Sequence, residues 1–149
     1  MSLSKPSFRF SIVLRVRFAD VDALGHVNNA KYLTYFEEAR MGYLLGLSHV
    51  QSNDLSTLNL ILAHAAVTFR APVRVGDTLE VFAGVTHIGN KSFRMDYTMI
   101  QAGTDTLVCD GHTIQVMFDY QNNRTVPVPE QLRQSITEFE EGRLADHTK

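Results

Sequence analysis

Residues 15–46 read RVRFADVDALGHVNNAKYLTYFEEARMGYLLG, and this stretch decides the fold. It joins the end of a strand to a loop dense in turn-forming and polar residues, and then to a long helix. Asp20, Asp22, Gly25, His26, Asn28 and Asn29 crowd into the ten residues before that helix. The first turn of a helix leaves backbone N–H groups without intrahelical partners and carries positive partial charge. A carboxylate beside such a start suits chemistry on a carbonyl that turns negative in the transition state.

The helix is expected from Asn28 or Asn29 to about Leu45. Either asparagine can cap it, and Gly46 stands where helices commonly stop. Its apolar residues (Ala30, Tyr32, Leu33, Tyr35, Phe36, Ala39, Met41, Tyr43, Leu44, Leu45) spread around most of the circumference, the pattern of a buried helix. Glu37 and Arg40 are three apart and can pair. A charged residue in so apolar a helix is either paired or functional.

On the N-terminal side, residues 1–7 read as a loose lead-in and Phe8 to Phe18 as a strand. There Phe10, Ile12, Leu14, Val16 and Phe18 share one face at period two. On the C-terminal side, residues 48–59 read as a polar connection, followed by four strands. Leu60 to Arg70 places Ile61, Ala63, Ala65, Val67 and Phe69 on one face. Thr78 to Ile88 follows, then a Gly89-Asn90 hairpin turn and the clean alternation of Ser92 to Ile100. Thr106 to Phe118 completes the set. Pro129 then opens a short helix with Leu132, Ile136 and Phe139 at helical spacing, and residues 140–149 read as frayed. The order predicts an α+β domain, residues 1–149 with a core of about 8–140: one antiparallel sheet wrapped around a central helix. Sheet edges and the uncovered side of the helix then call for a second copy of the chain.

Composition bounds the function. A net charge of -2 gives no electrostatic footprint for nucleic acid. One cysteine, Cys109, excludes an internal disulfide framework and fits a reducing compartment. No run of apolar residues reaches membrane-span or signal-peptide length. The expectation is a cytoplasmic protein without a membrane partner. The loop starts like a calcium-binding EF-hand, but Leu24 and Lys31 occupy the fifth and twelfth ligand positions. His26 stands alone in the loop, and His49, His64, His87, His112 and His147 make no close-spaced pair for zinc. Gly46-Leu47-Ser48-His49-Val50 lacks the last glycine of a serine-hydrolase elbow. Cys109 and His112 fall on opposite faces of a strand, so they make no nucleophile pair. Phosphate-binding glycine loops are missing too. What remains is a carboxylate beside a helix start, with the alternative that Asp20 and Asp22 merely bond turn backbone.

These residues also carry a resemblance. Asp20-Val-Asp22-Ala-Leu-Gly25-His26-Val-Asn28-Asn29-Ala-Lys-Tyr32, continuing to Phe36-Glu37-Glu38-Ala39-Arg40, resembles the signature of the hotdog-fold acyl-CoA thioesterases, closest to the 4-hydroxybenzoyl-CoA thioesterase type. Phe69-Arg70-Ala71-Pro72, Val75-Gly76-Asp77 and Val126-Pro127-Val128-Pro129 fit as well, so the likeness runs from about Phe10 to Phe139. It implies a hotdog fold and hydrolysis of an acyl-CoA to a free acid and coenzyme A. Asp22 matches the family's catalytic carboxylate, general base or nucleophile. Asn29 falls where a backbone N–H polarises the thioester carbonyl, and His26 is a further catalytic candidate. Glu37 and Tyr32 are candidates for the acyl pocket, and Lys91 and Arg124 for the coenzyme A phosphates. No cofactor or metal is implied, coenzyme A being part of the substrate. Homodimers or homotetramers with sites at the subunit interface are implied as well. An acyl carrier protein substrate, or a non-catalytic acyl-CoA binding or sensing module, are the alternative readings. A hydratase fits less well, because His26 lies too near Asp22 in the chain to set an acid–base pair across a substrate.

Overall fold

The computed structural model describes residues 7–47, 58–141 and, for the backbone alone, 145–146. The 48–57 part of the expected polar connection lies outside the described residues. Strand β1 (Phe10–Arg15) leads through a 3₁₀ turn at Phe18–Asp20 to helix α1 (Asn29–Leu45). Then come β2 (Leu60–Phe69), β3 (Thr78–Ile88), β4 (Ser92–Gln101), β5 (Leu107–Asp119), β6 (Arg124–Thr125), helix α2 (Glu130–Glu140) and β7 (Ala145–Asp146). The main strands lie in the order β1-β3-β4-β5-β2, every neighbouring pair antiparallel. The short β6 pairs with the end of β5, and β7 pairs parallel to β3. Ala145 and Asp146, in the tail expected to fray, thus join the sheet.

Alternation is cleanest on β4, where Phe93, Met95, Tyr97 and Met99 are all buried as expected. Two departures from period two have physical causes. The 3₁₀ turn ends β1 early, and Phe18 swings out to 83% exposure instead of joining Phe10, Ile12 and Leu14. In β2 the pairing with β5 shifts between Leu62 and His64, leaving Ala63 as a bulge. One extra residue changes which side chains share a face. Leu60 and Leu62 therefore join Ala65, Val67 and Phe69 on the face they share with buried Gln115 and Thr113 of β5, and Ile61 and Ala63 leave it.

Helix α1 lies across the core face of the sheet. Phe36 stacks on Tyr97 of β4 with centroids 4.4 Å apart, Tyr43 meets Phe10 of β1, and Tyr32 meets Phe69 of β2. Gly111 on β5 permits this approach. A Cβ there would press the Phe36 ring at 3.0 Å and collide with the Ala66 carbonyl oxygen. The helix is not buried all round, as its composition suggested. Tyr32, Tyr35, Phe36, Ala39, Arg40, Tyr43 and Leu44 form one buried stripe at i, i+3, i+4 spacing. Leu33, also apolar, stays 37% exposed, which leaves an apolar strip uncovered.

Helix α2 buries Leu132 and Ile136, and Phe139 packs edge-on against Tyr43 at 5.1 Å. Glu140, expected in the frayed tail, is instead buried. Its carboxylate accepts the Tyr43 hydroxyl at 2.5 Å and the Val85 N–H, next to the irregularity in β3. Burial and that carboxylate push the Tyr43 phenol well above its ordinary pKa. The latch keeps α2 on the sheet.

Candidate active site

The polar loop is closed by short-range bonds. The Asp22 N–H donates to the His26 carbonyl at 2.8 Å, and the Gly25 N–H to the Asp22 carbonyl at 3.0 Å. Gly25 has φ +81°, a left-handed backbone that side-chain-bearing residues rarely adopt, so the turn requires glycine here. Asp22 is exposed, and its Oδ1 accepts from the Leu24 N–H at 2.9 Å and the His26 N–H at 3.4 Å. Its carboxylate is thereby aimed by the turn while its other oxygen faces outward.

Asp20, two residues earlier, is only 2% exposed. Its Oδ2 accepts the Tyr35 hydroxyl at 2.7 Å and the Arg17 N–H at 3.2 Å, and the Arg17 guanidinium lies 3.5 Å from Oδ1. Burial pushes its carboxyl pKa up, but the Tyr35 and Arg17 donors and the Arg17 charge outweigh this and hold it below the ordinary value. The Asp20 carbonyl accepts the Asn28 N–H at 2.9 Å, fastening the loop to the start of α1. Asp20 is thus a structural tie and Asp22 the carboxylate left available.

Asn28, not Asn29, is the cap. Its side chain accepts from the Ala30 N–H at 3.0 Å, and its carbonyl accepts from the Lys31 N–H at 2.8 Å. Asn29 is the first helical residue, and among the described residues nothing accepts from its N–H. A backbone donor without an acceptor and a carboxylate therefore flank the same helix start. His26 is half-buried and bridges backbone-to-backbone with Arg74.

The other candidate residues spread out. Tyr32 is buried, with edge-on contacts to Phe69 at 5.0 Å and Tyr35 at 6.3 Å, and burial raises its phenol pKa. Glu37 is exposed and does not pair with Arg40. Arg40 turns inward instead and donates to the Tyr97 hydroxyl at 3.2 Å. Lys91 and Arg124 both lie at one end of the sheet, where Lys91 Nζ donates to Thr125 Oγ1 at 3.4 Å and Arg124 pairs across from Asp119. The Asp22 loop is bonded to the opposite end, through Val16 N–H to the Asp77 carbonyl and Val27 N–H to the Val73 carbonyl. The length of β3 separates the two ends, roughly 30 Å at ordinary strand rise. Side-chain reach alone therefore does not bring Lys91 or Arg124 to Asp22 within one chain.

Sequence reasoning missed two features. One is a buried polar chain running from Arg40 through Tyr97 and Thr113 to Gln115. Arg40 Nε and Gln115 Oε1 at its two ends have no partner among the described residues. Its only sequence signal is an arginine on an otherwise apolar helix face. The other is the stacking of His64 on His112 at 5.2 Å, which the β2–β5 pairing creates. Among the described residues, no three His, Cys, Asp or Glu side chains converge as a metal-binding set. No helix there is long and apolar enough to cross a membrane. Cys109 is buried and packs on Met99, and burial pushes its thiol pKa up to about 12.

One antiparallel sheet wrapped on a central helix is the hotdog arrangement, and here a carboxylate and an open N–H lie at the start of that helix. The thioesterase-like superfamily model matches residues 16–136. A 1,4-dihydroxy-2-naphthoyl-CoA hydrolase of Synechococcus elongatus is 30% identical over 121 residues, covering 79% of this chain and 88% of the relative. A thioesterase from Thermus thermophilus, solved with coenzyme A and zinc, superposes with a TM-score of 0.81 at 30% identity, covering 92% of this chain and 98% of that one. A 1,4-dihydroxy-2-naphthoyl-CoA thioesterase from Synechocystis superposes with a TM-score of 0.78 at 26% identity, covering 88% and 97%. This chain belongs to the thioesterase-like superfamily and is a thioester hydrolase of the acyl-CoA thioesterase group with the hotdog fold.

Proposed function

We propose that the chain hydrolyses the thioester of an acyl-CoA to a free carboxylic acid and coenzyme A at the start of α1. The observation that carries this reading is the juxtaposition of exposed Asp22 with the unaccepted Asn29 N–H. The thioester carbonyl oxygen accepts from Asn29 N–H, and the negative charge that develops there is stabilised by the helix start. One aimed backbone donor contributes about 3–4 kcal/mol to such a step. Asp22 then acts in one of two ways. As general base, it takes a proton from water as the water oxygen bonds to the carbonyl carbon. As nucleophile, its oxygen bonds to that carbon, giving a mixed anhydride that water cleaves. In both routes the C–S bond breaks and the leaving thiolate is protonated to coenzyme A.

The separation of Lys91 and Arg124 from Asp22 supports a site shared between two copies. Their cations would meet coenzyme A phosphates bound at the partner's Asp22 loop. The exposed apolar side chains Phe18, Leu24 and Val75 around that loop fit a covered position in such an assembly.

The test is release of free thiol from a panel of short, long and aromatic acyl-CoAs by wild type and Asp22→Asn. Asparagine retains an Oδ1 that can accept from Leu24 and His26, so the turn survives while the carboxylate is lost. Turnover in wild type with a loss of about a hundredfold or more in the variant supports the mechanism. Equal rates would sink it.

A further inference from the structure

Along α1, beyond the helix start, lies a cavity of about 640 Å³ whose wall includes Glu37, Arg40, Met41, Leu60, Leu62 and Tyr120. Glu37 and Arg40 follow Asn29 by eight and eleven residues, and Leu33 follows by four. At 3.6 residues per turn, these side chains lie on one side of the helix. β2 runs alongside, with Phe69 near the helix start and Leu60 and Leu62 at the cavity. An acyl group leaving a carbonyl at Asn29 would pass exposed Leu33 and arrive at the cavity.

The cavity's wall contains a buried cation. Arg40 is 5% exposed, and no carboxylate among the described residues lies within ion-pair distance of it. Among those residues its one hydrogen bond goes to the neutral Tyr97 hydroxyl, and its Nε has no partner. Burying a guanidinium without a counter-charge is costly unless something completes its hydrogen bonds. The Tyr97–Thr113 bond at 2.7 Å fixes the oxygen that Arg40 holds, so the guanidinium is already oriented before any ligand arrives. A long helical side chain also leans toward the helix N-terminus, which brings this guanidinium over the turn of Glu37.

We infer that Arg40 is a specificity-determining residue, recognising an oxygen acceptor at the far end of the acyl group. Resting on the thioesterase reading, this narrows the substrate to acyl groups oxygenated at that end. Eight residues of helix rise place the recognised oxygen roughly 12 Å from the thioester carbonyl, about the reach of a ten-carbon chain. A distal hydroxyl would accept from Arg40 and donate to Glu37. A distal carboxylate would match the Arg40 charge but meet repulsion from Glu37.

The experiment compares kcat/KM for decanoyl-CoA, 10-hydroxydecanoyl-CoA and the mono-CoA ester of decanedioic acid, using wild type, Arg40→Met and Arg40→Lys. At least one oxygenated ester should exceed decanoyl-CoA by tenfold or more in wild type, chiefly through a lower KM. That ratio should fall severalfold in Arg40→Lys and to about one in Arg40→Met. The ratio between the two oxygenated esters reports which oxygen is preferred. Equal kcat/KM for all three esters in wild type, or an unchanged ratio in a folded Arg40→Met, would overturn the assignment. If Arg40→Met fails to fold, the assignment is decided by equal wild-type rates, which overturn it, or by the ratio in Arg40→Lys, which must fall to support it and overturns it if unchanged. If neither these esters nor any of the short, long and aromatic acyl-CoAs is hydrolysed, the proposed acyl-CoA hydrolysis falls with it. If decanoyl-CoA is cleaved as fast as the others, only the role of Arg40 falls.

Discussion

Asp20 and Asp22 are two residues apart and chemically identical, yet the fold gives them opposite surroundings. Asp20 points into the protein, where Tyr35 and Arg17 saturate one oxygen and its backbone carbonyl secures the start of α1. Asp22 points into solvent from a turn that Gly25 makes possible. The 3₁₀ turn at Phe18–Asp20 produces the difference, because it holds Asp20 inside a tight turn and the chain leaves it at Val21, before Asp22. A carboxylate becomes available for chemistry where its own turn leaves an oxygen free, and becomes structural where buried donors claim it. Charge and position in the sequence do not separate the two cases.

The sharpest way to break this comparison is to remove each carboxylate separately. Asp22→Asn should lower kcat/KM for acyl-CoA by about a hundredfold, some 2.7 kcal/mol of transition-state stabilisation, with the melting temperature nearly unchanged. Asp20→Ala should do the reverse. It strands the buried Tyr35 hydroxyl, so stability should drop by about 2 kcal/mol, roughly 4–8 °C in Tm by calorimetry. Acid titration sharpens the contrast further. The folded Asp20 carboxyl has a pKa below its unfolded value, so its contribution is fully present above about pH 4 and is lost as pH falls through the folded value. The stability gap between wild type and Asp20→Ala should therefore narrow below about pH 4 in denaturant titrations. Asn28→Ala should cost about 1 kcal/mol through the lost Ala30 bond. If Asn28 also positions Asn29 N–H, kcat should fall by more than the unfolded fraction explains. The smallest change is expected for Lys91→Ala, a few-fold rise in KM that shrinks with added salt, because an exposed cation acts through screened charge.

Much of the architecture was legible before the fold was seen. Period two marked the strands, period 3.6 marked α1 and α2, and the spacing from Asp20 to Asn29 located the candidate site. Three things were not legible. The bulge at Ala63 is a feature of pairing with β5, so β2 alone suggested the wrong face for Ile61. Glu37 and Arg40 are well spaced for a helical ion pair, but Arg40 finds the Tyr97 hydroxyl on a strand 57 residues away. Glu140 read as part of a frayed tail because its partners, Tyr43 and Val85, lie far off in the chain.

The sequence by itself determined the order of the elements, the capped start of the helix and the presence of carboxylates just before it. Local backbone preference and hydrophobic periodicity act over a few residues, and those features need no more. Only the tertiary structure decided which aspartate is buried, and that Arg40 turns to the Tyr97 hydroxyl rather than to Glu37. Each of these depends on what the packed sheet brings within about 3 Å of a side chain, a distance that hydrogen bonding requires and sequence spacing does not encode.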